Sequence, residues 1–356
     1  MLIGIPKEVK ILEGRVALIP AAAAELVRHG HTVFVQSGAG VPSGYSDADY
    51  EAAGVQVVSD AKTLFEAAEL IVKVKEPYGS DLDYLTSEHT VFSFLHLAAN
   101  LELMAKLQDI GLTAIAFETV EEQTGALPLL APMSDIAGRI AVQTGAYLLH
   151  RPQGGKGILL GGLPAVERGN VVILGAGVAG GNAATIAAAL GANVTVFDRN
   201  RDKLARMRAL GGNVTALYSF SDVIRDAVLQ ADLVVGAVLV TGERAPMLVD
   251  ADTVKNMQDG SVIIDISVDQ GGCIETTRPT DYESPTFNWE GVVHYGVTNM
   301  PGAVPRSSSQ ALSAALIPYV LRLANEGCDS TPALAAGVNV RGGRITYPAL
   351  QSLSDV

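Results

Sequence analysis

The sequence contains only two cysteines, Cys273 and Cys328, among 356 residues. No disulfide framework can therefore be built, and we expect a protein of a reducing compartment, the cytoplasm. Basic residues are also few, since 25 Lys and Arg against 38 Asp and Glu leave a formal charge of −13. That balance argues against a nucleic-acid or anionic-membrane binder, because both need a surplus of positive charge. No secretory signal is expected either, because Lys7 and Glu8 interrupt the apolar opening.

Several other classes of protein lack their usual signals. The uncharged segment Val171–Ala192 is rich in glycine and contains Asn182, so a buried strand, turn and helix explain it better than a membrane span. Histidines and cysteines do not occur at metal-ligand spacings, so we expect no metal. The absence of a G-x-S-x-G motif weakens a hydrolase hypothesis. With 48% apolar residues, a chain of this length predicts two globular domains.

What the sequence does contain is an alternation of β-branched runs with alanine-rich stretches, which is typical of α/β proteins with parallel sheets and crossover helices. The expected strands form two series, separated by a helix at about Ser134–His150 and a loop at Gln153–Gly162. A last helix is expected at Ser309–Asn325, and the tail from Thr331 has few periodic features. The expected strands are Leu2–Pro6, Thr32–Gln36, Val55–Val58, Leu70–Glu76, Val91–His96 and Thr113–Glu118, then Asn170–Leu174, Asn193–Asp198, Val214–Tyr218, Asp232–Val238, Ser261–Ser267 and Val292–Thr298.

The second series opens with a G-x-G-x-x-G motif, formed by Gly175, Gly177 and Gly180. A buried strand precedes it, a helical stretch follows, and Asp198 closes the next strand 23 residues after Gly175. This context is that of a dinucleotide-binding Rossmann unit. The first glycine allows a tight turn, the second lets the backbone approach a pyrophosphate, and the third lets helix and strand pack closely. The carboxylate of Asp198 is expected to bind the adenosine ribose, which favours NAD over NADP although Arg199 and Arg201 follow.

Charged and polar residues stand at the expected carboxyl ends of strands, where open parallel sheets bind their ligands. In the first series these include Arg15, Lys75 and His96, which suit a substrate that carries a carboxylate and exchanges a proton. Each also has a simpler interpretation, namely a loop cation, a solvated strand end and a satisfied, half-buried imidazole. Glu118 is expected to satisfy a backbone group or an arginine. Asp269 lies in a turn of the second series, where it either faces a substrate or caps the turn.

Taken in order, several segments resemble alanine dehydrogenases, and the match runs from residue 2 to about 325. The resemblance implies two Rossmann-like domains with parallel sheets, helices on both faces and an active site in the cleft between them. It assigns residues 1–128 and 305–356 to a substrate domain and 129–304 to an NAD-binding domain. The matching segments are Gly4–Glu8, Arg15–Ala17, Lys73–Pro77, Phe94–Ala98, Leu129–Ser134, Gly236–Val240, Asp265–Gly272 and Val297–Pro301.

The same resemblance implies NAD-dependent, reversible oxidative deamination of L-alanine to pyruvate and ammonium by a homohexamer. In that scheme Arg15 and Lys75 bind the substrate, while His96 and Asp269 act as acid–base groups. The implied cofactor contacts, in addition to the three motif glycines, are Ser134, Val178, Asp198, Lys203, Ser219, Val238, Leu239, Ile266, Ser267, Val268, Asp269, Arg278, Val297, Thr298, Asn299 and Met300.

Two other functions remain open from the sequence. One is the NAD(H)-binding component of a proton-translocating transhydrogenase, which belongs to the same family but needs a membrane partner. The other is a dehydrogenase of the opine or saccharopine type. The pairing of Lys75 with His96 in matching motifs favours the amino-acid enzyme over the transhydrogenase component.

Overall fold

The computed structural model describes residues 1–238 and 245–354. It divides into two compact units, one made of Met1–Met133 with Gly302–Val356 and the other of Ser134–Pro301. Leu239, one of the expected cofactor contacts, lies outside the described residues. Each unit contains its own sheet and its own buried apolar core.

The elements alternate between strands and helices along most of the chain. The strands are β1 (Leu2–Ile5), β2 (Thr32–Gln36), β3 (Gln56–Val58), β4 (Leu70–Val72), β5 (Thr90–Ser93), β6 (Thr113–Ala116), β7 (Asn170–Leu174), β8 (Asn193–Asp198), β9 (Val214–Tyr218), β10 (Leu233–Gly236), β11 (Val262–Asp265), β12 (Thr286–Trp289), β13 (Val292–Tyr295), β14 (Val338–Arg341) and β15 (Arg344–Ile345). The helices are α1 (Pro20–Arg28), α2 (Asp47–Ala52), α3 (Ala61–Ala67), α4 (Asp81–Tyr84), α5 (Leu101–Ile110), α6 (Ala131–Leu148), α7 (Val178–Ala189), α8 (Arg201–Arg208), α9 (Ser221–Leu229), α10 (Ala251–Lys255), α11 (Pro305–Glu326), α12 (Pro332–Gly337) and α13 (Pro348–Ser354).

The sheet of the first unit has the order β15-β14-β6-β5-β4-β1-β2-β3. Strands β1 to β6 pair in parallel, as predicted, whereas β14 is antiparallel to β6 and β15 is antiparallel to β14. The tail that showed few periodic features therefore extends this sheet. Its strands are too short to give a clear alternating pattern, and β14 is buried on both faces at Val338, Asn339 and Val340.

The last long helix, α11, belongs to the first unit and begins at Pro305, four residues earlier than expected. Two buried serines on α11 form hydrogen bonds with the backbone of the segment that leads into α1. The Ser309 hydroxyl accepts from the Val16 N–H, and the Ser313 hydroxyl accepts from Ile19 and donates to the Ala17 carbonyl. These bonds fix the segment that follows Arg15, because a buried backbone polar group needs a partner.

The second unit has a sheet in the order β12-β13-β11-β10-β7-β8-β9. Its strands are parallel except β12, an edge strand that pairs antiparallel with β13 and that the sequence did not predict. The alternating half-exposure of β12 explains why its apolar signal is weak. The prediction of two mainly parallel sheets is confirmed, with an antiparallel addition at one edge of each.

Candidate active site

Three neighbouring strands of the first unit lead into the loops that carry the predicted substrate residues. Strand β4 pairs with β1 on one side and with β5 on the other. Arg15 follows β1, Lys75 follows β4 and His96 follows β5, so all three come after the carboxyl ends of adjacent strands. The structure ends β4 at Val72 and β5 at Ser93, so Lys75 and His96 lie three residues beyond the strands rather than at their last positions.

Arg15 is buried, with a side chain that is 3% exposed, and its guanidinium is held by Glu13. The Arg15 Nε donates to Glu13 Oε1 at 2.6 Å, Nη2 donates to Oε2, and Nη1 lies 3.2 Å from the Met133 sulfur. A two-point guanidinium–carboxylate pair fixes the plane of the fork as well as its position. Arg15 is therefore an oriented, buried cation and not a solvated loop residue.

Lys75 is half-buried and is anchored through its backbone. Its N–H, at 3.4 Å, and that of Val74, at 2.6 Å, both point to Oε1 of the buried Glu8. Burial lowers the pKa of the Lys75 ammonium, and the positive charge of Arg15 lowers it further, while Glu76 and Glu13 oppose that shift. An ammonium of this kind is a point charge suited to a carboxylate or carbonyl oxygen. The simpler interpretation, a fully solvated strand end, does not fit this burial.

His96 occupies the left-handed region of the backbone, with φ of 49°. Glu118 supports this turn, because its carboxylate accepts from the N–H of His96 at 2.6 Å and from that of Leu95 at 3.2 Å. The expectation that Glu118 satisfies a backbone group is confirmed. The His96 ring stacks against Phe94 with an interplanar angle of 6°, and its side chain is 44% exposed. A strained turn that presents an exposed imidazole is common where a side chain has a chemical function.

In the second unit the G-x-G-x-x-G motif forms the turn between β7 and α7. Gly175 has φ of 102°, and a Cβ there would lie 2.5 Å from the Ala237 carbonyl oxygen. A Cβ on Gly180 would lie 1.8 Å from the Gly175 carbonyl oxygen, whereas one on Gly177 would meet nothing within 4 Å. Helix α7 begins at Val178, and Gly177 is its N-cap. The turn thus leaves open space at the amino end of a helix, which is the environment that binds a pyrophosphate.

Asp198 is the last residue of β8, as predicted. Its carboxylate accepts from the N–H of Ala176, inside the glycine motif, and from that of Asn200, both at 2.8 Å. Arg199 and Arg201 are both exposed. The carboxylate therefore lies against the glycine turn, where the adenosine ribose of a dinucleotide would bind.

Most of the remaining predicted cofactor contacts follow the carboxyl ends of strands in the second sheet. Ser219 follows β9, Val238 follows β10, and Thr298 follows β13. Asp269 follows β11, in a 3₁₀ turn at Val268–Gln270, and is exposed. The full set at these strand ends is Ser219, Val238, Ile266, Ser267, Val268, Asp269, Val297, Thr298, Asn299 and Met300.

Three predicted contacts lie elsewhere in the second unit. Ser134 is in the first turn of α6, which approaches the start of α7 because Gly138 packs against the Ala179 carbonyl. Asp135, beside Ser134, accepts from the Asn182 amide of α7 at 2.7 Å. Lys203 is in the first turn of α8, and the Arg278 guanidinium lies 4.5 Å from the ring centre of Phe287. The contacts of Asp135 and Gly138 bring the turn that carries Ser134 close to the helix that the glycine motif opens.

Two functional supports were not foreseen from the sequence, Glu13 beneath Arg15 and Glu8 beneath Lys75. Glu13 is only two residues from Arg15, and the i, i+2 spacing gives no distinctive pattern. Glu8 is 66 residues from Val74, so only the folded sheet brings them together. Burial raises the pKa of the Glu8 carboxyl to about 7, opposed by the charge of Lys73 and the Val74 N–H.

Comparison with known proteins gives matches that cover nearly the whole chain. Two family models match, "Alanine dehydrogenase/PNT, N-terminal domain" over residues 4–137 and "Alanine dehydrogenase/PNT, C-terminal domain" over residues 141–348. The chain belongs to the alanine dehydrogenase/PNT family. Among curated members, the alanine dehydrogenase of Mycolicibacterium smegmatis is 49% identical over 355 residues, which cover 98% of this chain and 96% of that protein. The alanine dehydrogenase of Bacillus subtilis is 48% identical over 357 residues, with coverages of 98% and 94%.

Solved structures of both branches of the family resemble this one. An L-alanine dehydrogenase structure matches with a TM-score of 0.96 and 51% identity, covering 100% of this chain and 99% of the other. A transhydrogenase from Sinorhizobium meliloti matches with a TM-score of 0.85 and 28% identity, covering 98% and 100%. The higher identity favours the dehydrogenase branch over the transhydrogenase branch. Among the residues that the structure describes, no helix is both long enough and apolar enough to span a membrane.

Proposed function

We propose that this protein is an alanine dehydrogenase that catalyses the reversible, NAD-dependent oxidative deamination of L-alanine to pyruvate and ammonium. The observation that carries the proposal is the placement of Arg15, Lys75 and His96 after three adjacent strands of one sheet. Two cations and an imidazole in neighbouring loops suit a small substrate with one carboxylate and one group that exchanges protons. The identity of about 50% to named alanine dehydrogenases supports the same substrate.

Arg15 and Lys75 are proposed to bind and orient the substrate. The Arg15 fork, fixed by Glu13, presents N–H donors to the carboxylate, and the Lys75 ammonium attracts the carboxylate and the carbonyl oxygen of pyruvate. Lys75 is half-buried, so its attraction for an anionic substrate is stronger than that of a fully exposed ammonium. The charge of Arg15 is offset by Glu13, so Arg15 contributes mainly through the orientation of its guanidinium. Holding both oxygens leaves Cα in one orientation, which is a positioning contribution to catalysis.

His96 and Asp269 are proposed to divide the proton transfers. Oxidation of alanine yields an imino acid, which must add water at carbon and then release ammonia. Water addition requires loss of a proton from oxygen, and release of ammonia requires gain of one at nitrogen. The exposed imidazole of His96 is proposed as one acid–base group, and the Asp269 carboxylate is proposed as the second.

The second unit is proposed to bind NAD, which when bound accepts the hydride from Cα. Its residues fit the dinucleotide, because the turn at Gly177 is open and the helix that follows presents its amino end. Asp198 is proposed to accept hydrogen bonds from the ribose hydroxyls and to repel a 2′-phosphate. The exposed side chains of Arg199 and Arg201 are free to turn to solvent, so we infer a preference for NAD over NADP.

We also propose a cytoplasmic protein that assembles as a homohexamer. The cytoplasmic assignment is supported by two cysteines in the thiol form, Cys273 and Cys328. The hexamer rests on the resemblance to alanine dehydrogenases alone. Light scattering on the purified protein tests it, since a hexamer has six times the 37.1 kDa mass of the chain.

The decisive experiment uses the purified protein alone with NAD and follows NADH formation with alanine, glycine, serine and lysine-type substrates such as saccharopine in turn. We expect alanine to give the highest kcat/KM. Oxidation of saccharopine, a lysine-type secondary amine, in preference to alanine would instead indicate a dehydrogenase of the saccharopine type. NADH binding without oxidation of any amino acid would support the transhydrogenase component and would contradict the proposal.

A further inference from the structure

A buried carboxyl group lies directly beneath the loop that carries Asp269. Asp265 is the last residue of β11, and it is fully buried although it bears an ionisable side chain. A buried carboxyl group is costly unless several donors satisfy it, and such groups are retained where they have a specific role. The proposed mechanism does not use this residue, and the sequence singled it out only as the first member of a matching segment.

Asp265 binds the loop at both of its ends. Its Oδ1 accepts from the N–H of Ser267 at 2.9 Å, and its Oδ2 accepts from the N–H of Cys273 at 3.0 Å. Residues 268–272, including Asp269, lie between these two points. Inside the loop the Gly272 N–H also donates to the Ser267 carbonyl at 3.0 Å, so the two ends are held together directly as well. The Asp265 side chain and one backbone hydrogen bond therefore close the loop that presents Asp269.

A third donor, the hydroxyl of Thr277, reaches the same carboxyl group. Its oxygen is 2.9 Å from Asp265 Oδ2 and 2.8 Å from the Ile274 carbonyl oxygen, although a hydroxyl has only one proton. Burial raises the pKa of Asp265, while the donors Thr277, Cys273 and Ser267 lower it in part. A neutral carboxyl could donate to the Thr277 oxygen and leave the Thr277 proton for Ile274. Both arrangements keep the loop tied to β11.

Two glycines lie close to the carboxyl group of Asp265. A Cβ on Gly236 would lie 2.8 Å from Oδ1, and a Cβ on Gly272 would lie 2.8 Å from Oδ2. Gly272 also has φ of 70°, a conformation that other residues rarely adopt. The absence of a side chain at both glycines thus leaves room for the carboxyl group of Asp265.

We propose that Asp265 is a positioning residue that sets the place of Asp269 by closing the loop between Ser267 and Cys273. The inference rests on the proposed function, because it assigns Asp269 an acid–base role. A displacement of about 1 Å in a catalytic group can cost roughly a hundredfold in rate. Loosening the loop should therefore lower kcat while the protein remains folded.

The test is a double-mutant cycle with Asp265→Asn and Asp269→Ala. Asparagine has the same shape but directs an amide N–H₂ toward one of the backbone donors, so one end of the loop is released. We expect Asp265→Asn to lower kcat for alanine at least tenfold, and to cause no further loss in the Asp269→Ala background. The proposal would be overturned if the losses of kcat caused by the two substitutions multiplied in the double variant. It would also be overturned if Asp265→Asn kept a kcat within twofold of the parent.

Asp232→Asn is the matched control. The Asp232 carboxylate also accepts a hydrogen bond from a backbone N–H, that of Asn170 at 2.7 Å, and a second one from the Lys156 ammonium. It precedes β10, at the opposite end of the strands, so its loss should lower Tm without changing kcat. Hydrogen exchange provides a readout that does not depend on activity. Exchange across residues 267–273 should rise in Asp265→Asn and stay unchanged in Asp232→Asn, and equal exchange in both would contradict the inference.

Two further outcomes keep the test decisive. If Asp265→Asn does not fold, Thr277→Val removes the third donor with little change of volume, and we expect a several-fold loss of kcat with faster exchange in the same segment. Unchanged kcat and exchange in Thr277→Val would then count against the proposal. If the parent oxidises no alanine, the proposed function fails, while the exchange comparison still decides whether Asp265 holds the loop.

Discussion

Gly177→Ala is the substitution that separates cofactor binding from folding most cleanly. A methyl group at this position would meet nothing within 4 Å, and the backbone, with φ of −70° and ψ of −161°, is extended and accessible to any residue. The folded protein therefore accepts the substitution. The space above Gly177, however, is the space that a pyrophosphate must enter to reach the amino end of α7.

The expected magnitudes follow from that geometry. A pyrophosphate held away from the backbone loses at least one charge-assisted hydrogen bond, worth about 1.5–3 kcal/mol. That loss corresponds to a roughly 10- to 150-fold rise in the KM for NAD. Alanine is a poorer N-cap than glycine, but it also restricts the unfolded chain, and each effect is about 0.5–1 kcal/mol with opposite sign. Tm should therefore move by no more than about 3 °C.

The assay is steady-state alanine oxidation with varied NAD, together with thermal unfolding, on three variants. Gly212→Ala is the matched control, because a methyl group there also meets nothing within 4 Å. Gly180→Ala is the opposite case, since its Cβ would lie 1.8 Å from the Gly175 carbonyl oxygen and the turn itself must deform. We expect Gly180→Ala to lose both stability and NAD binding. The reasoning would be refuted if Gly177→Ala kept the parent KM for NAD, or if it lost as much stability as Gly180→Ala.

Four further predictions concern single side chains. His96→Ala should lower kcat by about 10²–10⁴-fold with NADH affinity unchanged by fluorescence titration, and turnover within a few-fold of the parent would restore the simpler role of a packed imidazole. Lys75→Ala should abolish pyruvate reduction and Lys75→Arg should not rescue it, because a planar fork does not replace a compact charge; full rescue by arginine would mean a generic cation. Asp198→Gly should relax the preference for NAD, measured as the ratio of kcat/KM for the two cofactors, and equal use of NADP by the parent would show that the arginines read the ribose. Burial raises the pKa of Glu8 to about 7, so the stability due to its neutral form is complete below pH 4.5 and is lost as the pH rises through 7. The free energy of unfolding in urea should therefore be lower at pH 8 than at pH 5 by roughly 1–3 kcal/mol, and Glu8→Gln should remove this difference. An equal difference in the variant would contradict the prediction.

The central part of the second sheet could be predicted to the residue. Strands β7, β8 and β9 have the expected bounds, because each is a β-branched run with a turn signal at either end. The glycine motif was predictable for a related reason. The backbone of Gly175 and the contacts of Gly180 admit no side chain, so these steric requirements appear directly in the sequence.

The ends of β4 and β5 could not be predicted, and the reason is long-range. The alternating pattern continues through Val74 and Phe94, so periodicity alone extends both strands. In the folded protein the Val74 N–H instead binds Glu8, and the Leu95 N–H binds Glu118. These carboxylates come from residues far along the chain and direct the backbone into turns just before Lys75 and His96.

Two residues that support the site could not be recognised in the sequence either. Glu13 and Asp265 are ordinary acidic residues in sequence, and only burial identifies them as partners of Arg15 and of the loop that carries Asp269. The sequence identified the residues proposed to contact the substrate and the backbone-binding role of Glu118, but not the supporting roles of Glu8, Glu13 and Asp265.

The central claim is that a hydride leaves Cα of alanine for the nicotinamide of NAD. Alanine labelled with deuterium at Cα tests this claim in a single experiment with the purified protein. The reduced cofactor should gain one mass unit by mass spectrometry, and the label should be absent from pyruvate and from solvent. Reduced cofactor of unlabelled mass, or deuterium released to water during turnover, would contradict direct transfer and with it the proposed function.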